Sequence, residues 1–153
     1  MTEVERLLRE HSFCAQLSSA QIKLLISCAS IVDAPAGWLF FRQGEPVLHL
    51  YFVVEGQIAI ELEAPPKGRI SILTLSRGDI LGWSWLTPPY NWRFDARALS
   101  KVITVAFDAE KLRELLEENH DRRYELLKRL VNAMGQRLES ARLQLMDIYG
   151  GTE

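Results

Sequence analysis

The feature that most constrains this chain is a train of short apolar runs between about positions 30 and 107, cut at close intervals by turn residues. The runs are WLFFR, LYFVV, QIAIELE, RISILTLS and KVITVAF. Between them fall Pro35-Ala36-Gly37, Gln43-Gly44-Glu45-Pro46, Glu55-Gly56, Pro65-Pro66-Lys67-Gly68 and Arg77-Gly78-Asp79. Glycine and proline punctuate the chain before a long helix can form, and the runs are rich in β-branched and aromatic residues. Ile58, Ile60 and Leu62 alternate with their neighbours, as Ile70 and Ile72 do with Arg69 and Ser71. That period predicts half-buried strands. Short strands at roughly 8–12-residue intervals predict a sandwich or barrel. No helix alternates with them and no G-x-G-x-x-G occurs, which excludes a doubly wound nucleotide fold.

Helices are predicted on both sides of this β zone. Residues 1–29 carry Leu7, Leu8, Ile22, Leu25 and Ile26 at helical spacing. Ser18-Ser19-Ala20-Gln21 fits a capping box, with Phe13 and Leu17 before it to pin the helix down. Residues 108–149 read as two helices: Asp108 caps one running to about Glu117, and Asn119 caps another running to about Tyr149, before Gly150-Gly151. The longer one carries Leu127, Val131, Met134, Leu138, Ala141, Leu145 and Ile148, separated by 4, 3, 4, 3, 4 and 3 residues. A strict heptad seam predicts pairing with a second copy, parallel or antiparallel. The alternative is a stripe lying on the barrel. The whole chain, 1–153, reads as a single domain with these three zones.

Composition narrows the function classes. At 153 residues the chain should bury roughly 68–70% of its unfolded surface, so no disulfide or metal is needed for folding. Cys14 and Cys28 lie in apolar segments and are expected to be buried free thiols. A net charge of −2 supplies no positive field for nucleic acid. The start, MTEVERLLREH, has no apolar signal core, and no run approaches the ~20 apolar residues that span a bilayer. A cytoplasmic protein without membrane contact is expected. His11, His49 and His120 fall in different predicted elements, without H-x-H, H-E-x-x-H or C-x-x-C spacing. No G-x-S-x-G or Cys/His arrangement nominates a nucleophile. Neither a metal site nor a catalytic residue is expected.

The stretch GWSWLTPPYNWRFDARA, residues 82–98, holds three of the four tryptophans. Gly82 permits close backbone approach. Ser84-Trp85-Leu86 can open a short helix with free N–H groups, ended by Pro88-Pro89. Arg93 follows, able to form a bidentate bond to a phosphate or carboxylate. The competing reading makes Trp83, Trp85 and Trp92 core, and Arg93-Asp95-Arg97 a surface charge ladder opposite Phe94, Ala96 and Ala98.

The order of parts, with three local signatures, resembles the cyclic-nucleotide-binding domain of the catabolite activator protein (Crp/Fnr) family. Phe41-Arg42-Gln43-Gly44-Glu45-Pro46 is similar to the family's glycine turn. Leu50-Tyr51-Phe52-Val53-Val54-Glu55-Gly56-Gln57-Ile58 is similar to its Y-x-V-x-x-G-x-I hairpin. Gly78-Asp79-Ile80-Leu81-Gly82 is similar to the lead-in to its phosphate-binding cassette. The resemblance runs from about Phe13 to Tyr149. It implies a mainly β, α+β fold: an eight-stranded jelly roll with N-terminal helices and two C-terminal helices, the last a long dimerisation helix.

The resemblance also implies a ligand site at Gly82, Trp83, Ser84, Trp85, Leu86, Arg93, Phe94 and Asp95. Gly82 and Arg93 match the family's cassette. Trp83 stands where a glutamate accepts from the ribose hydroxyl, and an indole only donates. Asp95 brings a carboxylate near the phosphate position. The implied effector is cAMP, cGMP or another cyclic nucleotide, with no other cofactor. The expected partners are a second copy of the chain, a small-molecule effector and a protein partner. Direct DNA binding is not expected, because the sequence carries no recognition helix after Tyr149. Two functions follow: a sensor signalling through the dimer helix, or a degenerate domain acting as a dimeric interaction module without nucleotide.

Overall fold

The computed structural model of the chain describes residues 2–15, 17–63, 65–82, 89–132 and 135. They fall into two compact units, 1–118 and 119–153.

The first unit opens with α1 (Glu3–Glu10), whose N-cap Thr2 accepts the Glu5 N–H at 3.2 Å. A 3-10 turn follows at Ser12–Cys14, then α2 (Ser19–Ile26). The predicted capping box is formed: Ser18 Oγ accepts from the Gln21 N–H at 3.2 Å, and Gln21 Oε1 accepts from the Ser18 N–H at 2.8 Å. Eight antiparallel strands come next: β1 (Ala29–Ala34), β2 (Leu39–Phe41), β3 (His49–Glu55), β4 (Ile58–Glu63), β5 (Arg69–Leu75), β6 (Ile80–Leu81), β7 (Asp95–Ala98) and β8 (Val102–Asp108). They form two four-stranded sheets, ordered β1-β8-β3-β6 and β2-β7-β4-β5. This is the expected jelly roll. Asp108 caps α3 (Ala109–Glu117) by accepting the Lys111 N–H at 2.8 Å, as the sequence predicts.

Phe52, Phe107, Leu8, Leu50, Ile58 and Leu81 are the largest side chains removed from water. The N-terminal segment covers Phe52: Phe13 meets it edge-on at 5.0 Å, and His11 stacks on it at 4.9 Å. Cys14 and Cys28 are buried and not joined in a disulfide. Burial pushes the Cys28 thiol up to about 11, which leaves it unreactive at neutral pH.

The alternation of β5 is a place where pattern and structure part. Ile70 and Ile72 are 40% and 50% exposed rather than sunk in the core. The register with β4 shifts between Ile60 and Glu61, so Ile72 has no opposite partner. One unpaired residue turns the strand locally and breaks a period-2 pattern.

His11 supplies the first expected result. The Phe13 N–H donates to its Nδ1 at 3.1 Å, so Nε2 carries the proton and faces the Asp79 carbonyl at 3.3 Å. Burial lowers the imidazole from its ordinary 6.5; the Asp79 bond and charge oppose that shift, and Arg77 adds to it. The native state therefore binds fewer protons than the unfolded chain. Its stabilisation is complete above about pH 6.5 and is lost as the pH falls below that value, at no more than ~1.4 kcal/mol per pH unit. Urea unfolding at pH 7.5 and 5.5 should show a steeper loss for the wild type than for His11→Gln. Equal losses would contradict this role.

The second unit contains a helix over residues 120–132. Asn119 caps it, its Oδ1 accepting the Arg122 N–H at 3.0 Å. Leu127 and Val131 of the predicted seam lie on this helix. Met134, Leu138, Ala141, Leu145 and Ile148 lie outside the described residues. No helix among the described residues is long and apolar enough to cross a membrane.

Candidate functional site

The site is built from the two ends of the 82–93 loop. Its first end is β6. The Arg77-Gly78-Asp79 turn is locked to β3: the Gly78 N–H donates to the Val53 carbonyl at 3.0 Å, and the Val53 N–H to the Asp79 carbonyl at 2.9 Å. Asp79 Oδ2 accepts the Ser76 N–H at 2.8 Å. Leu81 then pairs with Tyr51. Gly82 follows with φ of +126°, where a Cβ would meet Leu50 Cα, Leu50 Cδ1 and Trp92 Cη2, each at 3.2 Å. A side chain at 82 would be strained by the backbone conformation and would crowd Leu50 and Trp92.

The second end is tied to the Arg42–Val47 turn. The Val47 N–H donates to the Tyr90 carbonyl at 2.8 Å, the Trp92 N–H to the Glu45 carbonyl at 2.9 Å, and the Gly44 N–H to the Trp92 carbonyl at 2.8 Å. Trp92 is buried and stacks on Phe41, with centroids 3.4 Å apart and planes 3° from parallel. Trp92 is thus a core residue, in keeping with the packing alternative for the tryptophans. Phe94, half-buried, lies 5.8 Å from Phe41 and 6.3 Å from Trp92 by centroid. Between Trp92 and Phe94, Arg93 is exposed and makes no hydrogen bond or ion pair with any described residue. Trp83, Ser84, Trp85 and Leu86 lie outside the described residues.

Asp95 is committed to scaffold. Its Oδ1 accepts the Gln43 N–H at 2.7 Å, and its Oδ2 sits 3.1 Å from Arg69 Nη1. Glu61 Oε1 lies 3.4 Å from the same Arg69 nitrogen and 3.2 Å from Arg97 Nε. The charge ladder exists, but its members are Glu61, Arg69, Asp95 and Arg97. Arg93 is outside it because β7 begins only at Asp95. The expected repulsion between Asp95 and a phosphate is correspondingly reduced, since its charge is already matched. Asp95→Ala would strand the Gln43 N–H and should cost roughly 1–3 kcal/mol. Asp95→Asn, which keeps an acceptor, should cost less. Thermal melts of the two variants compare these losses; a harmless Ala variant would contradict the assignment.

Sequence reasoning missed Tyr90. Its φ is +60°, unusual for a non-glycine residue, and the Arg113 guanidinium of α3 lies 4.6 Å above its ring. No residue pattern signals either feature. Glu61 and Arg69 were also missed, although their places in a β4–β5 hairpin could have suggested them. Among the described residues no group of three or more His, Cys, Asp or Glu side chains is placed to hold a metal ion.

A jelly roll with a glycine-led loop fixed at both ends, and an arginine at its end with no partner among the described residues, has the build of a ligand-binding domain. The chain belongs to the cyclic nucleotide-binding domain family, whose model matches residues 31–119. It is similar to the CRP-like cAMP-activated global transcriptional regulator of Mycobacterium tuberculosis, 29% identical over 118 residues, 76% of this chain and 50% of that protein. Cyclic nucleotide-gated ion channel 18 of Arabidopsis thaliana is 31% identical over 118 residues, covering 70% of this chain and 17% of the channel. The chain thus spans half the length of the bacterial regulator and less of the channel. Among solved structures, one described as a cyclic nucleotide-binding protein from Geobacter metallireducens superposes with a TM-score of 0.78 at 27% identity, over 90% of this chain and 99% of that one.

Proposed function

We propose that the chain is a regulatory domain that binds a small phosphate-bearing effector of the cyclic-nucleotide kind between Gly82 and Arg93. The observation that carries this reading is Arg93: an exposed guanidinium without a partner among the described residues, held at the end of a loop whose two ends are fixed by backbone bonds. Phe94 flanks it in the sequence. Asp95 acts through Gln43 by holding the turn on which Trp92 and Arg93 are set. Binding selects one arrangement of the loop, and a ligand stabilises the state it binds better. Signalling runs through the C-terminal helices, paired with a second copy along the seam that starts at Leu127 and Val131. No reaction is assigned to the domain.

The degenerate reading, a dimeric interaction module without effector, is favoured by one observation: the Trp92–Phe41 stack fills the space beneath Gly82. Melting the chain with cAMP, cGMP and cyclic dinucleotides separates the two. At ~100 times Kd an effector adds about 2.7 kcal/mol, or roughly 5–10 °C at this size. No shift with any of them favours the interaction module.

A further inference from the structure

Helix α1 packs against β1 and β8, but it does not close the whole face beneath it. Residues opposite one another in antiparallel strands share a face. Asp33 lies opposite Ile103, and Ile103 opposite Glu55, so these three cross β1, β8 and β3 in one row. The β3–β8 register shifts between Val53 and Glu55, which leaves Val54 without an opposite residue. A bulge of this kind re-aims a side chain. Between α1 and this end of the sheet lies an open cleft of about 510 Å3. Its apolar lining is Leu7 from α1 with Ile31, Val54 and Ile103 from the sheet, the last three half-buried. Most of the charges around it are already matched: Glu3 and Glu10 are both bonded to Arg6, and Asp33 lies 3.8 Å from Lys101 Nζ. Two are not. Arg77 and Glu55 line the same cleft, are exposed, and make no hydrogen bond or ion pair with any described residue. The cleft thus offers one unmatched cation, one unmatched anion and an apolar floor.

We propose that this cleft binds a small zwitterion with an aliphatic body, an amino acid or dipeptide, its carboxylate on Arg77 and its ammonium on Glu55. A guanidinium fork matches a carboxylate, and an ammonium gives a carboxylate charge-assisted bonds. The aliphatic body gains by leaving water against Ile31, Val54 and Ile103. The cleft shares no residue with the 82–93 loop, so the proposal does not depend on the role of Arg93.

The test is an NMR titration of the full chain with L-leucine and L-leucyl-L-leucine, following the amides of Val54, Gly56 and Ile103. The N-acetylated and C-amidated forms, and glycine and glycylglycine, are titrated alongside. The expected result is saturable shifts with at least one leucine probe, and at least ~tenfold weaker binding once either charged end is blocked. The glycine analogues should bind several-fold more weakly than the leucine probe. Arg77→Gln and Glu55→Gln should each weaken the free probe several-fold. Both side chains are exposed, so melts of the free variants should match wild type. In Arg77→Gln, amidating the probe should cost nothing further; in Glu55→Gln, acetylating it should cost nothing further. No shift with either leucine probe overturns the proposal. So does equal binding of free and blocked forms, equal binding of the glycine analogues, or indifference to both substitutions.

Discussion

Gly56→Ala is expected to destabilise the domain by about 3 kcal/mol or more, lowering its melting temperature by roughly 6–12 °C. Gly56 joins β3 to β4, and so one sheet to the other. Two costs coincide there. Its φ is +92°, which a residue with a Cβ adopts only under strain. An added Cβ would also collide with the Lys101 carbonyl oxygen and crowd Val102 Cα and Cγ2 at 3.0 Å. The obstacle is backbone, so no rotamer change relieves it. The surrounding bonds would move with it: the Gln57 N–H donates to Ser100 Oγ at 3.1 Å, and the Leu99 N–H to the Gln57 carbonyl at 2.9 Å. Thermal or urea unfolding checks this. A Gly56→Ala protein melting with the wild type would mean that this turn does not close on the β7–β8 connection.

The second large effect is on binding. Arg93→Gln is expected to leave folding within ~0.5 kcal/mol of wild type, because the side chain is exposed and bonded to no described residue. Effector affinity should fall by about ten- to a hundredfold. A charge-assisted bidentate bond to phosphate is worth roughly 1.5–3 kcal/mol, and each 1.4 kcal/mol is a decade. Arg93→Lys should recover only part of this, since a point charge cannot reproduce the guanidinium fork. Stability and binding therefore separate at this position, whereas Asp95→Ala damages both by releasing the Gln43 turn.

What the sequence made legible was local. The glycine turns set the strand boundaries, Ser18 and Gln21 specified one helix start, and Asp108 another. These depend on residues three or four apart, where chain geometry leaves few options. What was illegible depended on register. The bulge that leaves Ile72 unpaired arises from how β5 meets β4, and nothing within RISILTL announces it. Asp95 looked like a ligand neighbour because its partner, the Gln43 N–H, lies 52 residues away. Arg93, Asp95 and Arg97 looked like one ladder by their period, but the strand starts after Arg93. Trp92 is fixed as core by Phe41 on β2, 51 residues away in the chain.

The central claim is that Arg93 is the anion grip of a ligand loop. It is tested most directly by melting wild type and Arg93→Gln side by side in cAMP, cGMP and cyclic dinucleotides. The account predicts equal melting temperatures without ligand, a rise of roughly 5–10 °C for wild type with at least one of these at ~100 times Kd, and little or no rise for the variant at the same concentration. Equal shifts in the two proteins, or no shift in either, would contradict it.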